Sequence, residues 1–170
     1  MNKAHKDKIE SHRSGQLLIE MLVALGILTV GFLGVMSLLS RAIGLNRVVA
    51  DNYTATYLAE EGIEIVKNIL DGNVIQGKGW NEGFGIGNGD FEVDFSSDTL
   101  VQSQDRFLTL DQSANLYGYG FSSATPFKRV VRIDIDGSGG NEIIVNSEVG
   151  WVSRGGNYNV NLEDHFFNWR

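Results

Sequence analysis

No cysteine occurs among the 170 residues, so disulfide staples, thiolate metal sites and thiol nucleophiles are all excluded. Proline is nearly absent too, Pro126 standing alone against 21 glycines. Such loops turn readily but have little built-in rigidity. Positive charge is scarce: 14 Lys and Arg against 21 Asp and Glu give a formal net charge of -7. A chain that neutralises phosphates normally carries a basic face, so direct nucleic-acid binding is not expected. Histidine is limited to His5, His12 and His165. The first two lie in the N-terminal head, while His165, beside Asp164, has no plausible nucleophile nearby and reads as a surface residue. No Gly-rich phosphate loop joins a strand to a helix; Gly83, Gly85, Gly87 and Gly89 lie in a loop without that context. The expectation is a protein that is not an enzyme and needs no cofactor.

What is present is unevenly distributed. Residues 1–15 carry Lys3, Lys6, Lys8 and Arg13 against Asp7 and Glu10, a net of +2, which leaves -9 for the remainder of a chain at -7. Met21–Ser40 then reads MLVALGILTVGFLGVMSLLS without a single charge. As a helix those residues span ~30 Å, about the hydrocarbon thickness of a bilayer. A basic head before such a run is retained in the cytoplasm while the rest crosses. The run is longer than the roughly 7–15 residues of a secretory signal core and lacks a convincing small-residue cleavage site after it. Hydropathy alone therefore reads as an uncleaved signal anchor.

The junction argues for something else. Ser14-Gly15-Gln16-Leu17-Leu18-Ile19-Glu20 places one carboxylate at the mouth of the apolar run. Burying it unpaired costs several kcal/mol. Cutting after Gly15 would make Gln16 a new, cationic N-terminus, with Glu20 one helical turn along. In a packed array of such helices that carboxylate could neutralise a neighbour's amino terminus.

The stretch SGQLLIEMLVALGIL resembles the prepilin leader and methylation signal of the type IV pilin and pseudopilin family. The resemblance implies cleavage after Gly15 by the membrane aspartyl prepilin peptidase, N-methylation of Gln16, and an assembly role for Glu20. It implies as partners other pilin subunits, the prepilin peptidase, the pilus assembly platform and the cytoplasmic membrane. It also implies a location: single-pass with the N-terminus inside before assembly, then an extracellular or periplasmic filament. The ATP that drives assembly would be used by another protein. Two departures stand out. Gln16 replaces the usual Phe, as in many minor pilins, and the helix-loosening Pro expected near Ser37 is absent, with Gly31 and Gly34 close by.

Beyond Arg41 the pattern becomes one-sided. Val49, Tyr53, Thr56, Ala59, Ile63, Val66 and Leu70 recur at three- and four-residue steps, the stripe of an amphipathic helix. Glu60, Glu61, Glu64 and Lys67 fall off it and are expected to face water. Asp71-Gly72-Asn73 is expected to end the helix, with Gly72 as a left-handed cap. Residues 72–89 read as a Gly-rich loop anchored by Trp80 and Phe84. Alternation then predicts strands at Phe91–Phe95, Phe107–Leu110, Leu116–Phe121, Phe127–Asp136, Glu142–Ser153 and Tyr158–Leu162. The last three form an antiparallel meander whose apolar face the helix covers.

The expected architecture is α+β: a leader over 1–15, a long helix over 16–71 with a transmembrane part at about 17–40, and a β-rich domain over 72–170. The segment AEEGIEIVKNI and the closing pattern RVVRIDID…VGWVSRGGNYNVNLEDHFFNWR also resemble PilV-type minor pilins, with Trp151 and Trp169 as core and edge packing. One metal-like pattern appears, Asp134-x-Asp136-x-Ser138-Gly139 followed by Glu142. It matches the opening of a calcium loop, but position twelve is Val145 instead of a bidentate Glu, and a hairpin turn flanked by exposed carboxylates is the simpler reading. The functional expectation is a minor pilin or pseudopilin. A major pilin, a signal-anchored binding module that never polymerises and, last, a membrane-tethered enzyme remain as alternatives.

Overall fold

The computed structural model describes residues 3–84, 88–135 and 141–168, with side chains from Gly15 onward. The layout is α+β. Among the described residues a single helix, α1 (Lys3–Ile75), is followed by β1 (Gly89–Glu92), β2 (Val101–Gln102), β3 (Thr109–Asp111), β4 (Leu116–Gly118), β5 (Ser123–Ala124), β6 (Lys128–Ile135), β7 (Glu142–Ser153) and β8 (Gly156–Phe167). The chain divides into two units, Met1–Arg47 and Val48–Arg170. In the first, every residue from Gly15 to Ile43 is exposed.

The second unit has its own core. A five-stranded antiparallel sheet in the order β2-β1-β6-β7-β8 receives α1 on one face, and a smaller sheet, β4-β3-β5, lies apart from it. The expected meander is present as β6-β7-β8. Val131 and Ile133 on β6 and Ile143, Val145 and Val149 on β7 are buried, while Arg132 and Asp134 face out. Burying each such side chain contributes about 1.5–3 kcal/mol. The β7–β8 connection is a two-residue turn in which Arg154 (φ 51°) and Gly155 (φ 80°) are both left-handed. That geometry suits the right-handed twist of a hairpin.

Along α1 the small residues Ala55 and Ala59 cluster with bulky Phe127, just before β6, and Trp151 on β7. One to three turns later Ile65, Val66 and Leu70 pack with Phe84 and Phe91 and with Val131, Ile133, Ile143 and Val145 on β6 and β7. Ala59, Val66 and Leu70 of the expected stripe are buried, but its N-terminal part is not. Val49 and Tyr53 are 52% and 65% exposed, whereas Ala55, Leu58 and Ile65 are buried. The sheet selects the narrow side of the helix because small residues there let the two layers approach. At Gly62 the approach is closest: an added Cβ would lie 2.4 Å from Ser147 Oγ, 3.1 Å from Arg129 Cδ and 3.2 Å from Val131 Cγ2.

Three other expectations are corrected. The helix does not end at Gly72 but runs to Ile75. Its cap is Gly77, at φ 71°, where Gly77 N donates to Val74 O and Lys78 N to Asn73 O, the paired bonds of a Schellman motif. Asn73 is held in the helix because its side chain donates to Trp80 O and Glu82 O. The strand expected at Phe91–Phe95 stops at Glu92. Asp94 turns the chain instead, its Oδ1 accepting from Ser96 N at 3.0 Å, local chemistry that competes with the ladder. Finally, β8 has 12 residues rather than five, because it pairs with β7 from Ser153↔Gly156 to Glu142↔Phe167. Trp80 and Phe84 do anchor the preceding loop to the core, and Trp151 is buried. Trp169 lies outside the described residues.

Gly62→Ala is expected to destabilise the second unit by about 1–3 kcal/mol through overpacking, although alanine favours helix by about 1 kcal/mol. Chemical denaturation checks this. Adding Ser147→Ala should recover part of the loss, since Ser147 Oγ is the nearest obstacle.

Candidate functional site

Gly15, Gln16 and Glu20 all lie on α1, with Glu20 four residues, or one turn, beyond Gln16. All three are exposed. Among the described residues Glu20 makes no ion pair. Around it stands a helix surface of unusual character. From Leu17 to Leu45 eighteen large apolar side chains are 46–72% exposed, which for a helical residue means that nothing within the unit covers them. Gly26, Gly31 and Gly34 likewise meet nothing: a Cβ at any of them has no neighbour within 4 Å. The segment is long and apolar enough to cross a membrane. A helix apolar all round is stable only in lipid or against other apolar elements.

The second unit contains two charge clusters that sequence reasoning missed. Arg129 is 1% exposed. Its Nη1 donates to Leu58 O and Glu61 Oε2, both at 2.8 Å, and its Nη2 to Val93 O at 2.5 Å. Glu61, expected in water, is thus committed to a bridge between helix and sheet. A signal existed: Phe127, Arg129, Val131, Ile133 and Ile135 share one phase of the alternation, so the arginine stood at a core-facing position.

Glu92 is 2% exposed, yet it sits in the outward phase of its strand. It is buried because residues 103–106 fold over it, a cause with no local trace in sequence. Its carboxylate accepts from Gln104 N (2.8 Å), Arg106 N (3.0 Å) and Arg106 Nε (2.8 Å), with Arg106 Nη2 at 2.7 Å. Burial works against the charge, but these hydrogen bonds and the Arg106 cation outweigh it and hold the carboxyl below its usual range. The Arg106 guanidinium also lies 4.5 Å from the Tyr119 ring centroid. Burial pushes the Tyr119 hydroxyl up to about 12. Asp94 is likewise held low: burial opposes its charge, and hydrogen bonds from Ser96, Tyr119 N and Ser97 prevail.

The calcium-like pattern is only partly within the described residues, since Asp136 and Ser138 fall outside them. Asp134 is exposed and accepts a hydrogen bond from Asn88 Nδ2. Glu142 faces the His165 ring. Among the described residues no group of three or more His, Asp or Glu side chains is arranged to hold a metal ion. His165 is exposed, as expected.

Among the open grooves of the second unit are two with largely apolar walls. One, of about 560 Å³, runs between the end of the helix (Lys67, Leu70, Asp71, Val74) and the end of β8 (His165–Phe167). The other, of about 380 Å³, lies over Gly150 on the outer sheet face, walled by Phe107, Pro126, Val152 and Tyr158. Neither gathers a nucleophile, a base and an oxyanion donor in the arrangement that acyl transfer requires. No family model, curated protein or solved structure matches this chain.

Glu92 yields a signed pH prediction. A carboxyl held low when folded adds stability above its ordinary range and loses it as pH falls through the folded value. Glu92→Gln should cost about 1–3 kcal/mol at neutral pH by leaving buried donors poorly matched. The gap from the parent protein should narrow as the pH is lowered below about 4, the ordinary carboxyl range, which thermal melts across pH will test.

Proposed function

We propose that the chain is a structural subunit, a minor pilin or pseudopilin, of a type IV pilus-like filament. The observation that carries this reading is the helix surface from Leu17 to Leu39, apolar on every side and uncovered, with Glu20 as its one charge. Covering each of those side chains is worth about 1.5–3 kcal/mol, a driving force that lipid supplies before assembly and neighbouring helices supply afterwards. The second unit needs none of that surface for its own core.

In this reading the prepilin peptidase cuts after Gly15 and exposes the Gln16 amine, the methylation site. Glu20 is carried into the helix bundle at a cost that a partner charge removes. A neighbour's Gln16 ammonium is such a partner, and pairing it with Glu20 sets the register of successive subunits. An assembly platform in the cytoplasmic membrane draws subunits from the bilayer, where each sits with its head inside, into a filament beyond it. The charge step supports that orientation, the basic head being retained on the cytoplasmic side.

Mass spectrometry of exported protein should find Gln16 as the first residue, carrying a methyl group if the amine is modified. An intact Met1 in assembled filaments would refute the proposal. Glu20→Ala should leave membrane insertion and the melting of the second unit unchanged while sharply reducing recovery in sheared filaments. Undiminished recovery would refute the assembly role of Glu20, and absence of the parent protein from sheared filaments would favour an anchored module that never polymerises.

A further inference from the structure

At the open end of the β7–β8 ribbon, His165 is flanked by carboxylates on both ring nitrogens. Nδ1 lies 2.7 Å from Glu142 Oε1 on β7, and Nε2 lies 3.2 Å from Glu163 Oε1 on β8. A neutral imidazole has one N–H donor and one acceptor nitrogen, whereas an ionised carboxylate only accepts. Both contacts can therefore be hydrogen bonds only when the ring is an imidazolium.

The position gives that proton a consequence. Among the described residues β8 is an edge strand, with β7 on one side and no strand on the other. Glu142 pairs with Phe167 at the last rung of the ladder, and His165 pairs with Ile144 one diagonal away. The imidazolium thus ties the terminal rungs together from the outer face of the sheet. The ring of Phe167 stacks on it at 6.4 Å. His165 and Phe167 also form one wall of the groove whose other wall is the end of α1.

We propose that His165 is a proton-operated latch on the end of β8: charged, it fastens Glu163–Phe167 to Glu142; neutral, it releases one carboxylate and the strand end frays, reshaping the adjoining groove.

The surroundings favour the charged state. From β7 the ring faces Glu142; from β8, Glu163, with Asp164 accepting from the His165 backbone N–H. From β6, Asp134 stands in the same cross-strand row through Ile144. From α1, Asp71 and the cation Lys67 line the groove. Acids thus outnumber the one lysine. The hydrogen bond to Glu142, followed by that to Glu163, raises the His165 pKa above its ordinary value. Because the folded value lies above the unfolded one, the latch contributes its full stability below the ordinary histidine range. It loses that contribution as pH rises through the folded value.

The test uses the full-length chain in detergent micelles with isotope-labelled histidine, the His165 signal being identified by its loss in His165→Asn. The ring is expected to titrate above the ordinary histidine value. Glu142→Gln should lower that value, and Glu163→Gln should lower it less, in keeping with the longer contact. Amide exchange at Glu163–Phe167, corrected for its intrinsic base catalysis, should quicken several-fold as pH crosses the titration. In Glu142→Gln it should already be fast at low pH. A ring that titrates at or below the ordinary value, or strand-end amides whose corrected exchange ignores pH, would overturn the latch.

Discussion

The second unit depends on how a fully buried guanidinium is paired. Arg129 projects from β6 toward the helix and is met by a helix carbonyl (Leu58), a helix carboxylate (Glu61) and the carbonyl of Val93. Stripping a cation of water costs several kcal/mol, which good geometry and satisfied donors recover; both Nη groups are paired, while the buried Nε has no partner among the described residues. Arginine suits the position because its planar fork reaches three acceptors from one stem, which the compact lysine ammonium does with less geometric control. The contact also demands proximity. Gly62, one residue beyond Glu61, has no side chain where Ser147, Arg129 and Val131 come closest. Gly62 and Arg129 are thus two halves of one constraint: the first lets the layers approach, and the second sets the helix in register along the sheet.

That constraint explains how the helix is shared out within the second unit. The face bearing Ala55, Leu58, Ala59, Val66 and Leu70 is consumed by the core, while Glu60, Glu64 and Lys67 stay in water. Nothing comparable occurs in the first unit, where the apolar side chains from Leu17 onward are uncovered. A sequence that retains so much uncovered apolar surface needs another phase or another chain to cover it. This is the physical footing of the proposed filament role. The lone carboxylate of Glu20 adds to it, because a charge tolerated on such a surface calls for a partner.

Much of this was legible from periodicity. The uncharged run Met21–Ser40 and the alternation of β6 and β7 are short-range signals. They appear in the structure with little change, Glu142–Ser153 matching to the residue. The orientation of the amphipathic half is harder to read because large residues dominate a periodic pattern. Ala59, Val66 and Leu70 of the expected stripe are buried, but Val49 and Tyr53 are not, and the sheet adds Ala55 and Gly62, whose value lies in what they lack. Gly72 is a glycine in a plausible capping context, yet the Asn73 side chain, bonded to Trp80 O and Glu82 O, carries the helix past it, and the cap falls at Gly77. Glu92 and Arg106 are 14 positions apart and meet only because a loop returns. His165 and Glu142 meet only through the register of β7 with β8.

The sequence by itself determined the properties that belong to a residue and its near neighbours: an apolar span of bilayer length, a basic head, a stranded acid at the junction and an α+β order of elements. Periodicity and charge are local, so they survive without knowledge of the fold. The tertiary structure alone decided where along the helix burial begins, which carboxylates are paired and where the helix stops. Those outcomes turn on distances between residues far apart in the chain, and a buried charge or a missing Cβ has meaning only once its neighbour across the core is in place.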